Sequence, residues 1–578
     1  MSIPPSSGPP TRKTVREVVD ALDTDLASVS RGVAAGTYAM WLGSGISRDS
    51  VPSVSKLLTR VLAYLQERIA TADPDCPFRK ALGQIFSLGM VPNVLREAVD
   101  FAKPVDDWVG LDEILRTLAI HYSRVMEVPV DGTADEDFLL WAAADVRALY
   151  ADTKLVPDAE HLCLAVLALE GALNTAATAN WDGLIEAAMD LLAGPGNGII
   201  DVRVHDEDFR GPPVRCELIK FHGCAVKAAL NPEKYRAMLI VRDTQVTGWI
   251  QSPEHKLTVQ RLTSIVAERP TLMIGLSAQD ANIQEIFSRA KKLLAWPWPS
   301  DPTAMVFCEE EVGFDQTKLL KLMYRDEYAD HQAEILASCR IGSFAKPFLV
   351  GLVLQTLIMK MRQFISANAA PLLNVADADE LILSLGTLRD KAADTVGVDH
   401  REFVLRLIGA ASFAMTTFRT GEPESNPSTR YEPFSVQPVH LTLTGPASAV
   451  FELRCFSIAL ALIASGLRSG AWSVALGDPA RPKEGVLSLS GPKGSTKVFV
   501  VRDSLLLAKL ESSGYFKSSD ANVLAVIGTD LPTPSQRSPR VGYGRTGIAV
   551  GREVSIEAMI RDAPPGGLVE HFLRQVAA

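Results

Sequence analysis

Apolar positions recur along this chain with two different periods, and the alternation between them lays out its elements. Val18, Val19, Leu22, Leu26 and Val29 fall on one side of a 3.6-residue repeat, which predicts an amphipathic helix over residues 15–33. The run from Tyr38 to Leu42 has strand length, meets Gly43-Ser-Gly-Ile-Ser47, and gives way to helical periodicity over 54–68. Strand, tight glycine turn and helix form the opening unit of a dinucleotide-binding fold. Residues 77–170 read as mostly helical, with Trp108, Leu115, Leu118, Trp141 and Leu149 among the expected core positions. Further strand-length apolar runs stand at 172–178, 199–204, 217–221, 271–275 and 305–308, and a helix is expected from Asn282 to Leu294. Short apolar strands alternating with helices predict an α/β fold: a Rossmann-like parallel sheet covered on both faces, with a large helical insertion.

Beyond residue 302 the pattern changes. A long helical stretch to about residue 367 contains the most apolar run, 348–361, which is too short for a membrane span and is interrupted by Lys360. It is expected as a buried core helix. Helical periodicity continues over 377–417, and the Pro- and Ser-rich stretch 422–438 reads as a loop or linker. From residue 440 on, short strands (440–444, 473–476, 485–489, 497–501, 523–527) combine with a helix near 447–467. The expected organisation is a disordered lead-in over 1–13, an α/β domain over 14–309, a helical connector over 310–420, a linker over 421–439 and a strand-rich α+β domain over 440–578.

Composition narrows the picture. The 578 residues allow about three domains, or two large ones. With 47% hydrophobic and 22% charged residues the chain can bury a full core without metal or disulfide support. A net charge of -10 argues against a basic protein that coats nucleic acid. Lys483, Lys493, Lys497, Arg537, Arg540 and Arg545 cluster in sequence, as a basic groove or as a solvated loop face, so direct nucleic-acid binding stays open. The seven cysteines are odd in number, widely spaced and free of CxxC pairs, which points to a reducing compartment without a disulfide framework or zinc site. The first residues lack the apolar core of a signal peptide. A cytoplasmic protein without membrane association is expected.

Four short segments could carry chemistry. Gly43-Ser-Gly-Ile-Ser47 is a candidate phosphate loop, because glycine lets backbone approach a pyrophosphate, or simply a strand-to-helix turn. In Thr178-Ala-Asn-Trp-Asp-Gly-Leu184, Asn180 could orient a water or a ribose hydroxyl and Asp182 could hold ribose or an oxocarbenium-like centre; an ordinary Asx turn is the alternative. His222, ending Lys220-Phe-His-Gly223, stands where a crevice would open and suits a general base, or else is a structural histidine. In Gly275-Leu-Ser-Ala-Gln-Asp280, Ser277 and Asp280 could lie near an adenosine ribose or cap the following helix.

Taken in order, GSGIS, TANWDGL, KFHG and GLSAQD resemble the sirtuin superfamily, with its glycine loop, T-x-N-x-D motif, H-G motif and late G-x-S strand end. The resemblance covers about residues 30–300. It implies that Gly43, Ser44, Gly45 and Ser47 hold the phosphates of NAD, with Thr178, Gly275, Ser277 and Asp280 completing the cofactor-binding set and Ser277 and Asp280 on the adenosine side. It implies catalytic roles for Asn180, Asp182 and His222. Protein-deacylating sirtuins place two CxxC pairs after the H-G motif to hold zinc; here only Cys224 follows closely, and no zinc is expected. Their GIPDFR segment is replaced by Asp49-Ser-Val-Pro-Ser53.

These departures are similar to the divergent bacterial sirtuin-like domains of phage-defence proteins. That resemblance implies an NAD glycohydrolase that takes NAD as substrate and acts in abortive infection. It further implies a partner, a short Argonaute or a HerA-type ATPase, or a homo-oligomer, with the region from about 310 on as partner-binding or sensor module. An NAD-dependent protein deacylase and a non-catalytic sensor of NAD or ADP-ribose are the alternatives.

Overall fold

Six of the apolar runs form one sheet in the computed structural model, which describes residues 13–577 apart from 71, 213, 368–372, 424–429, 493, 518 and 530–551. The strands are β1 (Ala39–Leu42), β2 (Thr175–Thr178), β3 (Ile200–Arg203), β4 (Cys216–Lys220), β5 (Thr271–Ile274) and β6 (Met305–Cys308), in the order β3-β4-β2-β1-β5-β6. Every pairing is parallel. Five strands are buried throughout, and β3, at an edge, is half-buried. The chain runs outward from β1 through β2 and returns to β1's other side with β5. The crevice at the carboxyl ends of β1 and β5 is therefore the switch point where α/β sheets bind ligands.

Side chains alternate across this sheet with a period of two. Met40 and Leu42 join Leu218, Leu272, Ile274 and Val306 in one core, capped by the helices Val15–Asp23, Ala27–Ala34, Ala159–Leu169 and Ala345–Ser366. Ala39 and Trp41 join Ile219, Met273 and Phe307 in the opposite core, under the helices Lys256–Glu268, Ala281–Leu293 and Phe314–Tyr324. The helical insertion between β1 and β2 has its own core, including Leu62, Ile85, Trp108, Leu118 and Leu149. Trp141 is only half-buried and lies under the guanidinium groups of Arg147 and Arg236. The helix expected over 15–33 breaks in two at Thr24–Asp25–Leu26, where the Thr24 hydroxyl turns back to the Asp20 carbonyl.

The helical stretch expected to about residue 367 consists of three helices: Phe314–Tyr324, Asp326–Ser338 and Ala345–Ser366. The last has 22 residues, longer than the apolar run suggested, and with Ala447–Ser469 it is long and apolar enough to cross a membrane. It lies mostly inside the protein instead. Phe348, Leu349 and Leu352 enter the core beneath the first sheet, and Ile358, Phe364 and Ile365 enter a second core under the C-terminal sheet. One helix thus packs into both units, and a chain cut near residue 300 would lose a wall of its first core.

The second sheet is mixed, with β7 (Ser473–Leu476), β8 (Leu487–Gly491), β9 (Gly494–Asp503), β10 (Val523–Thr529) and β11 (Arg552–Ser555) in the order β11-β10-β9-β8-β7. β9, β10 and β11 run parallel, whereas β7, β8 and β9 form an antiparallel meander. The strand expected at 440–444 is a 3₁₀ turn, Val439–Thr444: the Thr442 and Thr444 hydroxyls bond the carbonyls three residues back and compete with a ladder. Lys493, Arg537, Arg540, Arg545 and residues 1–12 of the expected lead-in lie outside the described residues.

Residues 430–438, read as linker, are tied to the first unit. Tyr431 Oη and Phe434 N each donate to Glu170 Oε1 at 2.8 Å, and the buried Lys360 ammonium donates to Glu170 Oε2 and to the Ser435 carbonyl, both at 2.6 Å. Removing one member of a buried pair strands the other charge, at about 3–5 kcal/mol. Lys360→Met is therefore expected to lower the unfolding free energy on that scale. Arg31→Ala, which breaks an exposed pair with Asp301, should cost less than about 1 kcal/mol. Denaturant titration followed by far-UV circular dichroism checks both.

Candidate functional site

At the switch point two backbones touch. Gly43 N donates to Ile274 O and Gly45 N to Gly275 O, both at 3.0 Å. A Cβ on Gly43 would clash with the Gly275 carbonyl, and one on Gly45 would lie 2.6 Å from Gly275 Cα. Gly275 adopts φ +63°, and its own Cβ would stand 2.8 Å from Gly45 Cα. The glycines of two motifs are thus explained first by this crossing, and the Gly43 and Gly45 amides are committed to it. Ser44 is exposed beside it.

Behind the loop, Ser47 is buried and bonded rather than open to a ligand. Its Oγ lies 3.1 Å from His161 Nε2 and 3.3 Å from Asn180 Nδ2. Asn180 Nδ2 also donates to Gly43 O at 3.1 Å, and Asn180 N donates to Thr178 Oγ1 at 3.0 Å. Because the Gly43 carbonyl can only accept, it fixes which end of the amide is nitrogen and leaves Oδ1 as the outward acceptor. His161 Nδ1 accepts from Asp158 N at 3.1 Å, so the proton sits on Nε2 and is donated to Ser47. Burial pushes the His161 pKa down to about 4, against the pull of Asp182 and Asp158.

Asp182 is 6% exposed, and its carboxylate accepts from Leu184 N at 3.2 Å at the start of the helix Leu184–Ala193. Its carbonyl accepts from the Lys220 ammonium, which also pairs with Glu186 at 2.5 Å. Burial opposes the Lys220 charge, but Cys224, Glu186 and Asp182 together raise its pKa. Cys224 Sγ lies 3.7 Å from that ammonium. Asp182 thus holds the 178–184 loop onto β4. Tyr150 and Trp181 pack edge to face above it, and burial plus the Asp182 charge push the Tyr150 phenol up to about 12.

His222 follows β4. Its carbonyl accepts from Trp181 Nε1 at 2.8 Å and Ile240 N at 3.0 Å, and Gly223 turns away at φ +97°. Its ring lies against Phe221, centroids 4.8 Å apart, and its Nε2 is 3.0 Å from Asp280 Oδ2.

A cleft of 880 Å³ opens over this face, large enough for a dinucleotide. Ser44, Gly45, Gly275 and Ser277 form its floor, beside Arg48 and Glu160. The helix Ala345–Ser366 contributes Lys346, bonded to Asp49 at 2.6 Å and Asp158 at 2.8 Å. The structure therefore gathers four of the sequence candidates on the cleft floor, pins Asn180 and Ser47 beneath it, and sets His222 with Asp280 beyond. Among the described residues no group of three His, Cys, Asp or Glu side chains could hold a metal.

Sequence reasoning missed His161, Lys220, Glu160 and Lys346. A lysine inside an otherwise apolar strand, and Asp158 three residues before His161, were the available signals for two of them. Glu160 is buried, and desolvation raises its pKa to about 8.

No curated protein matches this chain. Residues 174–326 match the family model described as the SIR2-like domain. The match runs from β2 past β6 and holds Thr178, Asn180, Asp182, His222, Gly275, Ser277 and Asp280, while the 43–47 loop precedes it and is hydrogen-bonded to it. With the doubly wound parallel sheet and the cleft at its switch point, this chain carries a SIR2-like domain, of a family that uses NAD.

Proposed function

We propose that the protein is an NAD hydrolase that releases nicotinamide and ADP-ribose. The observation that carries this reading is the clamp on Asn180, whose amide nitrogen is held by Gly43 and Ser47 while Oδ1 is left to accept from a water. NAD lies with its pyrophosphate over Ser44 and Gly45 and its adenosine toward Ser277. Its nicotinamide ribose points to Asn180. The C1′–N bond breaks with its electron pair leaving on nicotinamide, which becomes neutral. Water, oriented by Asn180, adds to the oxocarbenium-like C1′ and gives its proton to His222. NAD and water thus yield nicotinamide, ADP-ribose and a proton. Asp182 holds the loop that carries Asn180, and its charge favours the developing cation. Hydrolysis rather than deacylation is supported by the loss of the GIPDFR segment and of the CxxC pairs, and by Cys224 being buried against Lys220.

The reading extends to a regulated effector of anti-phage defence by abortive infection, switched on by a short Argonaute, a HerA-type ATPase or self-assembly. It is supported by the second half of the chain reaching the cleft: Lys346 and His400 both line it. A partner seated on that half has a direct mechanical route to the nucleotide.

Purified full-length protein, alone and with a candidate partner, is expected to convert NAD to nicotinamide and ADP-ribose without an acyl-lysine peptide. Asn180→Ala and His222→Ala should each lower turnover by about 100-fold, the scale of a lost positioning group or general base, with both variants still folded by circular dichroism. Chromatography of the products decides: turnover only with acylated peptide, giving O-acyl-ADP-ribose, would make the protein a deacylase.

Gly275→Ala supplies a second check on the cleft. It places a Cβ in left-handed backbone against Gly45 and is expected to cost about 2 kcal/mol or more and to weaken NAD binding. Gly248→Ala, with open space around it, should change neither. Calorimetric titration with NAD and thermal melts measure the pair.

A further inference from the structure

Ser277 and Asp280 stand three residues apart on one loop, and a shared nucleotide contact is the simplest use of both. The structure separates them. Gly275 at φ +63° and Ala278 at φ +60° both turn left-handed, which is costly for alanine, and Gln284 Nε2 holds the Ala278 carbonyl at 2.8 Å. Ser277 stays in the cleft floor. Asp280 is carried to His222, with Oδ2 3.0 Å from Nε2, while Oδ1 accepts from Asn282 N at 2.7 Å.

We propose that Asp280 is the positioning residue of a His222–Asp280 dyad, keeping Nε2–H toward the carboxylate and leaving Nδ1 to take the proton from the attacking water. This rests on the hydrolase reading above.

Three observations lead there. The His222 backbone is fixed by Trp181 and Ile240, and the ring is bounded by Phe221 and by Trp249, whose centroid is 6.4 Å away. What remains to be set is the rotation of the ring and its tautomer. Second, His222 Nε2 is shut off from solvent, and its N–H is not aligned on any acceptor; Asp280 Oδ2 stands at 3.0 Å but off the N–H axis. Catalytic hydrogen bonds are often misaligned before substrate binds, and a small ring rotation closes this one. A buried donor left unpaired is costly, which favours closing the bond to Asp280. Third, burial pushes the Asp280 carboxyl up, but His222 and the Asn282 and Ile283 amides outweigh it, so its pKa lies below the usual range and it is anionic at neutral pH.

The titratable groups facing this pair are His255, from the turn before the helix Lys256–Glu268, and Tyr122 of the insertion, which faces Asp280. His255 is stacked on Trp249, and burial lowers its pKa to about 4 despite Asp206, so it stays neutral through the working range. Burial and the Asp280 charge raise the Tyr122 phenol, which stays neutral too. Asp280 is thus the carboxylate that stands against His222. An anion beside an imidazole raises its pKa, so removing that charge lowers it.

Asp280→Asn keeps a side-chain oxygen for the Asn282 amide, so the helix start survives. It is expected to lower kcat by about 100-fold with KM unchanged, and to move the acidic limb of the kcat/KM profile down by about one pH unit. Asp280→Glu, which keeps the charge, should return the limb toward its wild-type position. Histidine-labelled NMR on the full chain, with His222→Ala assigning the signal, reads the His222 pKa without turnover and should show the same downward shift in Asp280→Asn. A raised KM with kcat and limb unmoved would make Asp280 a nucleotide contact and overturn the dyad. So would a His222 pKa unchanged in Asp280→Asn. Wild-type protein inactive on NAD under every condition, with the NMR shift present, would overturn the hydrolase reading and with it the transfer of a water proton to Nδ1, while the coupling of Asp280 to His222 would stand.

Discussion

The carboxyl ends of β1 and β5 meet with no side chain between them, and the site depends on that crossing. Gly43 and Gly45 lie on Gly275 closely enough that a Cβ at any of the three would strike backbone. The contact spends two amides on the neighbouring strand end and turns the Gly43 carbonyl toward Asn180. It also drops Ser47 into the core, where its hydroxyl meets both Asn180 and His161. A glycine loop read as a phosphate cradle is therefore also the keystone of a side-chain network beneath it. Only glycine permits that approach of main chain to main chain.

A second constraint comes from far along the chain. The helix Ala345–Ser366 begins at the cleft with Lys346 and carries Lys360 into a buried pair with Glu170. Burial lowers the Lys346 charge's stability less than Asp158 and Asp49 favour it, so its pKa rises and the ammonium stays charged between them. Asp158 caps the helix Ala159–Leu169, which holds His161 near its start and is followed at once by Glu170. The same short helix thus touches the Asn180 network at one end and the Tyr431–Ser435 segment at the other. It is buried along its whole length, so both ends are fixed by the same packing.

How far this was legible follows from the range of each signal. The six parallel strands stand where apolar runs predicted them: five are buried throughout and mostly apolar, and half-buried β3 alternates Ile200 and Val202 with Asp201 and Arg203. The β7 to β10 strands were legible from their short runs of apolar residues, even though β7 is mostly exposed, whereas β11, four residues of which only Val554 is buried, was not. The segment 440–444 alternates like a strand, but its threonines satisfy nearby carbonyls. Asn180, His222, Ser47 and Asp280 could each be singled out by their motifs, whereas which pairs with which could not. Nothing local ties Ser47 to His161, 114 residues away, or His222 to Asp280. The stretch 310–420 looked like a connector because helical periodicity does not say which core a helix enters.

The two buried histidines His161 and His222 are held by different kinds of partner. His161 spends both nitrogens on protein: Nδ1 accepts from Asp158 N and Nε2 faces Ser47. With its pKa near 4 it is neutral across the physiological range and has no lone pair left for a substrate proton. It is fixed as a donor, and through Ser47 it helps hold Asn180. His222 has one nitrogen turned to a carboxylate, and its side chain keeps 11% exposure. A proton arriving at Nδ1 would leave an imidazolium beside an anionic Asp280, which is the arrangement that stabilises the charged product of proton transfer. The difference lies in the partners: His161 is held between a backbone amide and a hydroxyl, whereas His222 stands beside a carboxylate, the arrangement that the proposed base requires.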